Sequence, residues 1–287
     1  MTEKIEDLEY FKAEPKRTKT HEVGPYTLVV GNYDTKEGCW DYTKGTVFKG
    51  EEELVSVCRN YGMFPFSFVL DHPTGHDYLI CGSDYQGQTI VDLNTGERVD
   101  HLPSTARDGL GFCWSAHYPS PSGQYLAVEG CHWGAPYEVR IFDFSEPMKA
   151  PWPLLYIPPT TGEADFGSWD GDTVHMEGEV EYYPSYGKCW FELSEAETEE
   201  VDNLEEEGTL VDVQYEVRTF SYECGKDYEK SLRALLGMLV PDQEGAFVVP
   251  EYKTQARHLY YCCKPPARAR VREAFPKSWA NVELPLD

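Results

Sequence analysis

The chain has 287 residues, enough for one large domain or two ordinary ones and for a substantial buried core. Its 50 acids against 25 Lys and Arg give a formal charge of -25, a field that repels phosphate and anionic lipid and so argues against direct nucleic-acid or membrane-surface binding. Basic proteins and cations are the natural attractors of such a surface, and solubility alone is the competing reason for the acidity.

Composition and the amino-terminal residues set further expectations. The 24 Gly and 20 Pro are spread along the chain, so turns are frequent and elements short, which favours strands. The first twenty residues, "MTEKIEDLEYFKAEPKRTKT", carry no apolar signal-like stretch, and no run of about 18 apolar residues follows. Nine cysteines, an odd number without a CxxC pair, complete the expectation of a soluble cytoplasmic protein with free thiols and no cofactor.

In chain order, an amino-terminal extension is expected over residues 1–20, followed by a strand-rich domain over 21–263. "GPYTLVVGNYDTKEGCWDYTKGTVFKG" from Gly24 gives a turn, a strand, a polar loop and a second strand. The same order recurs in "HPTGHDYLICGSDYQGQTIVDLNTGE" from His72 and in "SPSGQYLAVEGCHWGAPYEVRIFDFSEP" from Ser120. A worn copy follows in "SWDGDTVHMEGEVEYYPSYGKCWFELSEAE". Gly75, Gly123 and Gly171 stand 48 residues apart, a period that marks stacked or radial repeats. Within the second copy, residues 64–70, 77–82, 88–93 and 97–102 read as four short strands separated by turn chemistry. A four-stranded antiparallel sheet cannot hide both faces alone, so neighbouring copies must cover one another.

Beyond the repeats, the acidic run Glu192 to Glu207 reads as a self-repelling, solvated loop. "TLVDVQYEVRTFSYE" reads as a long alternating strand with Val211, Val213, Tyr215 and Val217 on one face. Residues 227–240 place Leu232, Leu235, Leu236 and Leu239 at helical spacing between Asp227 as N-cap and Pro241. Two further short strands and a basic tail over 264–287 complete the chain. Four copies plus the later strands predict an all-β, propeller-like array of about five four-stranded blades with a minor helix.

The repeats resemble WD-repeat β-propeller blades. "SPSGQYLAVEG" is similar to that family's turn between innermost and second strands, and "QTIVDLNTGE" and "EVRIFDFSEP" are similar to its third strand. The Trp-Asp dipeptide of the family is replaced here by Val91-Asp92 and Phe142-Asp143. The resemblance implies blades arranged about a channel.

The loops joining second to third strands carry Tyr33, Trp40, Tyr85, His132, Trp133, Tyr182, Tyr183 and Tyr186. Rigid rings on loops either anchor a partner at low entropic cost or fold back to seal gaps between blades. Asp92 and Asp143 end equivalent strands, which suits capping of the following turn rather than catalysis. His72 and His76 straddle a turn, and Cys131-His132 and Cys262-Cys263 are adjacent in sequence, so none presents metal-ligand spacing. Ser115 and His117 alternate on one strand as ordinary blade residues. GxSxG, HExxH and Gly-rich phosphate loops are absent.

Three functions follow as expectations. The first is a non-enzymatic interaction or assembly module that presents aromatic loops to a basic protein partner. The second is a hydrolase or lyase with a carboxylate and histidine site, using Asp71, His117 or their equivalents over the channel. The third is an acidic mimic of nucleic acid.

Overall fold

In a computed structural model, residues 5–209 and 211–226 are described. They form sixteen strands in four antiparallel sheets of four, a propeller-like succession of blades. The first sheet contains β1 (Arg17–Val23), β2 (Tyr26–Tyr33), β3 (Tyr42–Lys49) and β4 (Glu52–Arg59) in sequence order. The second contains β5 (Ser67–Val69), β6 (Tyr78–Cys81), β7 (Gln88–Asp92) and β8 (Arg98–His101). The third contains β9 (Phe112–Pro119), β10 (Tyr125–His132), β11 (Glu138–Asp143) and β12 (Leu154–Tyr156). The fourth contains β13 (Ala164–Asp170), β14 (Thr173–Tyr183), β15 (Lys188–Cys189) and β16 (Gln214–Glu223).

The chain divides into two compact units, residues 1–154 and 155–287. In each of the four sheets the turn between first and second strands holds a glycine of positive φ: Gly24, Gly75, Gly123 and Gly171. A left-handed residue lets each tight hairpin reverse without a Cβ clash.

In the first unit the second sheet is buried on both faces. Period-two alternation sends Leu79, Cys81 and Val91 into a cluster with Tyr26, Leu28, Val47 and Val57 of the first sheet. It sends Tyr78, Ile80 and Ile90 the opposite way, against Trp114, Leu126, Val128 and Phe142 of the third. Leu79↔Val91 and Ile80↔Ile90 are opposed pairs, so both faces are assembled from cross-strand partners. Short apolar β6 and β7, "YLIC" and "QTIVD", are fully buried strands for this reason.

Three expectations are corrected. The first twenty residues are not a separate extension, because β1 begins at Arg17 and the Phe11 ring lies 5.1 Å edge-on to Tyr33. The acidic run is not a loop: residues Glu195–Glu206 form helix α1. Ser194 caps it, accepting from the N–H of Glu197, whose carboxylate returns the bond to the Ser194 N–H at 2.7 Å. Val201 is buried with Leu193 and Tyr183, giving the helix an apolar foothold that outweighs repulsion among its exposed acids.

The third correction concerns β16. It is the long alternating strand expected after residue 208, and it pairs with β14 over ten residues, but its buried face is not the expected one. Its buried side is Phe220 and Tyr222, whereas Tyr215 and Val217 are 63% and 67% exposed. Tyr222 stacks on Tyr156 with centroids 4.8 Å apart, which fixes the face turned inward. The expected helix over 227–240, the two later strands and the tail over 264–287 lie outside the described residues, and with them any fifth blade.

Candidate functional site

The end of β4 organises the most conspicuous surface feature of the first unit. Arg59 is 2% exposed, and its Nη1 donates to the carbonyls of Gly82 (2.9 Å) and Asp84 (3.0 Å). Its Nη2 reaches the Trp114 carbonyl at 3.4 Å. Burial lowers the guanidinium pKa to about 10, partly offset by Asp84 among other groups, so the residue remains a cation at neutral pH. A buried cation surrounded by carbonyls clamps the 82–84 loop base to the first and third sheets.

Asn60, next in the chain, serves three groups at once. Its Nδ2 donates to Asp84 Oδ2 (2.6 Å), its Oδ1 accepts from the Tyr85 N–H (3.1 Å), and its carbonyl accepts from Trp40 Nε1 (3.1 Å). Thr35 Oγ1 donates to the Trp40 carbonyl at 2.7 Å, and the Trp114 N–H donates to the Tyr85 carbonyl at 3.1 Å. Thr43 Oγ1 donates to the Tyr61 carbonyl at 2.8 Å. These bonds fix the Trp40 indole and the backbone at Trp40, Tyr61 and Tyr85 before any ligand arrives.

The result is a cluster of four rings from three sheets. Trp40 lies 5.4 Å from Tyr61, 6.2 Å from Tyr85 and 6.1 Å from Trp133. Tyr85 lies 5.7 Å from Tyr61 and 6.3 Å from Trp133. Trp40 remains 47% exposed and Trp133 62% exposed, although large apolar side chains ordinarily gain from burial. Trp40, Tyr85 and Trp133 are therefore brought together as loop residues of successive sheets.

The other sequence-selected residues lie elsewhere. Tyr33 is buried against Phe11, and burial raises its phenol pKa. His132 contacts the third sheet instead: its ring lies 5.8 Å from Phe112, its Nδ1 is 3.3 Å from the Leu110 carbonyl, and Arg140 reaches its Nε2 at 2.9 Å. In the second unit, Tyr183 and Tyr186 pack with Leu193 and Val201 beneath α1, and Tyr182 is half-buried on β14 beside them. Tyr183 donates to Glu181 at 3.1 Å. Tyr183 and Tyr186 thus support a helix. Tyr61 escaped the sequence reading because it follows β4 rather than lying between second and third strands; its only signal was an aromatic beside Asn60 and Gly62.

The carboxylates at strand ends hold turns. Asp92 accepts from the N–H groups of Asn94 (2.9 Å) and Thr95 (3.1 Å) and pairs with His76 Nδ1 at 2.5 Å. Burial opposes its ionisation, but these bonds outweigh burial and lower its pKa. Asp143 accepts from the N–H and hydroxyl of Ser145. His72 is buried and bonded to Thr74 and the Phe144 carbonyl. His117 is 7% exposed, stacked 6.0 Å from Trp114, and burial pushes its pKa down to about 3. Such an imidazole is a poor base at neutral pH. Among the described residues no group of three His, Cys, Asp or Glu has metal-binding geometry, none of the seven described cysteines is in a disulfide, and no helix is long and apolar enough to cross a membrane.

No family model matches the chain. It is 38% identical over 147 residues to an uncharacterized protein of Acanthamoeba polyphaga mimivirus, covering 49% of this chain. The alignment spans 57% of that relative, so the chain covers little more than half the relative's length. Among solved structures it is similar to the catalytic domain of a Coprinopsis cinerea GH62 α-L-arabinofuranosidase, with a TM-score of 0.32 and 10% identity. That match covers 72% of this chain and 64% of the other.

Proposed function

We propose that the chain is a non-enzymatic interaction module that grips a basic protein partner through the face formed by Trp40, Tyr61, Tyr85 and Trp133. The observation that carries this reading is the pair of exposed indoles, each held by neighbouring rings and, for Trp40, by an indole N–H bond to Asn60. Preorganised aromatic anchors bind with little loss of rotamer entropy. The formal charge of -25 supports a partner of opposite sign and a fast, salt-sensitive encounter. The alternative of a carboxylate and histidine hydrolase draws no support from His117, which is buried and neutral.

Selection of a displayed library of random peptides on the intact protein tests the reading. Enriched peptides are expected to bind the unaltered chain and to lose binding to the Trp40→Ala, Trp133→Ala double variant. Equal recovery on both proteins, with both folded by circular dichroism, would overturn it.

A further inference from the structure

We propose that the four-ring cluster seats an arginine side chain of the partner. This inference rests on the binding-face reading above and specifies its ligand chemistry.

The ring cluster offers exposed π-faces, those of Trp40 and Trp133 above all. The indole N–H of Trp40 is already taken by the Asn60 carbonyl, so it adds no donor that would favour an anion. The chain's overall negative charge, with two acids next to the rings in sequence, sets the sign of the ligand. Asp41 follows Trp40 and Asp84 precedes Tyr85 in the chain. Asp84 accepts from Asn60 Nδ2 at 2.6 Å and, through Oδ1, from the Gln86 N–H at 2.8 Å. Among the described residues no Lys, Arg or His forms an ion pair with Asp41 or Asp84. Asp34 in the same loop pairs with Lys16 at 2.6 Å and Glu138 with Arg140, while Lys16 also interacts electrostatically with Asp41 and the buried Arg59 with Asp84, so a cationic ligand is favoured by the chain's formal charge of -25 rather than by these acids alone.

A cation above an aromatic face is attracted by the ring quadrupole, and indole gives the strongest effect. Between the two basic side chains the geometry favours arginine. Its guanidinium is planar, weakly hydrated and stacks on flat rings, whereas a lysine ammonium is a compact, strongly hydrated point charge. The third sheet already contains one such pairing, with the Arg140 guanidinium 4.0 Å above the Phe112 ring.

The test uses three acetylated, amidated heptapeptides of Gly and Ser with one central arginine, citrulline or lysine. Binding to the full chain is followed through the tryptophan indole signals by NMR at millimolar peptide. Citrulline keeps the shape and removes the charge. The arginine peptide is expected to bind roughly two- to fivefold more tightly than citrulline, the range of an exposed cation–π contact. It is also expected to bind more tightly than lysine. Trp133→Ala should abolish the preference and Trp133→Phe should retain most of it, with unchanged melting temperatures. Equal binding of arginine and citrulline, or an arginine preference indifferent to Trp133→Ala, overturns the inference. Should library peptides still depend on Trp40 and Trp133 while citrulline equals arginine, the ligand chemistry falls and the binding face stands. Should library peptides ignore both tryptophans, the face itself falls.

Discussion

Burial of the second sheet on both faces makes a quantitative prediction at two adjacent residues. Leu79 and Ile80 follow one another in β6, are almost completely buried, and point into different clusters. Truncating either to alanine removes methyl and methylene groups from a packed core and leaves a cavity, which costs about 2–5 kcal/mol per site. A sheet with one face in water would instead lose almost nothing at one of the two positions, within about 0.5 kcal/mol. The difference is several times the error of guanidinium unfolding followed by tryptophan fluorescence. A second arm tests which cores are separate. Leu28→Ala and Leu126→Ala lie in different clusters and should add to within about 0.5 kcal/mol, whereas Leu28→Ala and Leu79→Ala share one cluster and should show coupling of about 0.5–3 kcal/mol. A loss below 1 kcal/mol at Leu79 or Ile80 would refute the two-faced packing.

Other perturbations follow from single contacts. Gly130→Ala places a Cβ into the Cys113 carbonyl and the Phe112 ring, so it should destabilise by at least about 1–3 kcal/mol in the same unfolding assay, whereas Gly38→Ala meets nothing and suffers only its backbone strain. Ser194→Ala removes the cap of α1 and should cost about 1 kcal/mol, visible as faster amide exchange in the helix. Glu197 in that cap is opposed by burial, but bonds from Lys188 and Ser194 hold its pKa at about 2, below its unfolded value. Its contribution is therefore complete above the ordinary glutamate range and fades as pH falls towards 2, which a circular dichroism titration reads. His117 carries the opposite charge logic: folded it stays neutral down to about 3, while unfolded chains take up the proton from about 6.5. Stability should decline as pH drops from 6.5, by about 1.4 kcal/mol per unit, and His117→Gln should flatten that decline.

Much of the architecture was written in local chemistry. The hairpin glycines at 24, 75, 123 and 171 and the apolar runs at 78–81 and 88–92 announce themselves because turn strain and strand burial are decided within a few residues. The acidic helix was concealed by its own charge density, although Ser194 and Glu197 at capping-box spacing were visible three residues apart. In β16 both faces carry apolar residues, so alternation alone could not say that Phe220 and Tyr222 turn inward; the Tyr156 ring decides it from 66 positions away. The recognition face divides in the same manner. Trp40, Tyr85 and Trp133 could be named from loop position, but their convergence depends on Arg59 and Asn60, two residues with no motif whose bonds reach across sheets.

The convergence of those rings is open to direct observation by fluorine NMR of the chain labelled with 5-fluorotryptophan, with Trp→Phe variants assigning each signal. Because the two indoles lie 6.1 Å apart, Trp133→Ala should shift the Trp40 resonance through the lost ring current, and a library-selected peptide should move both signals together. A Trp40 signal that ignores removal of Trp133, or a bound peptide that leaves both signals in place, would contradict the account.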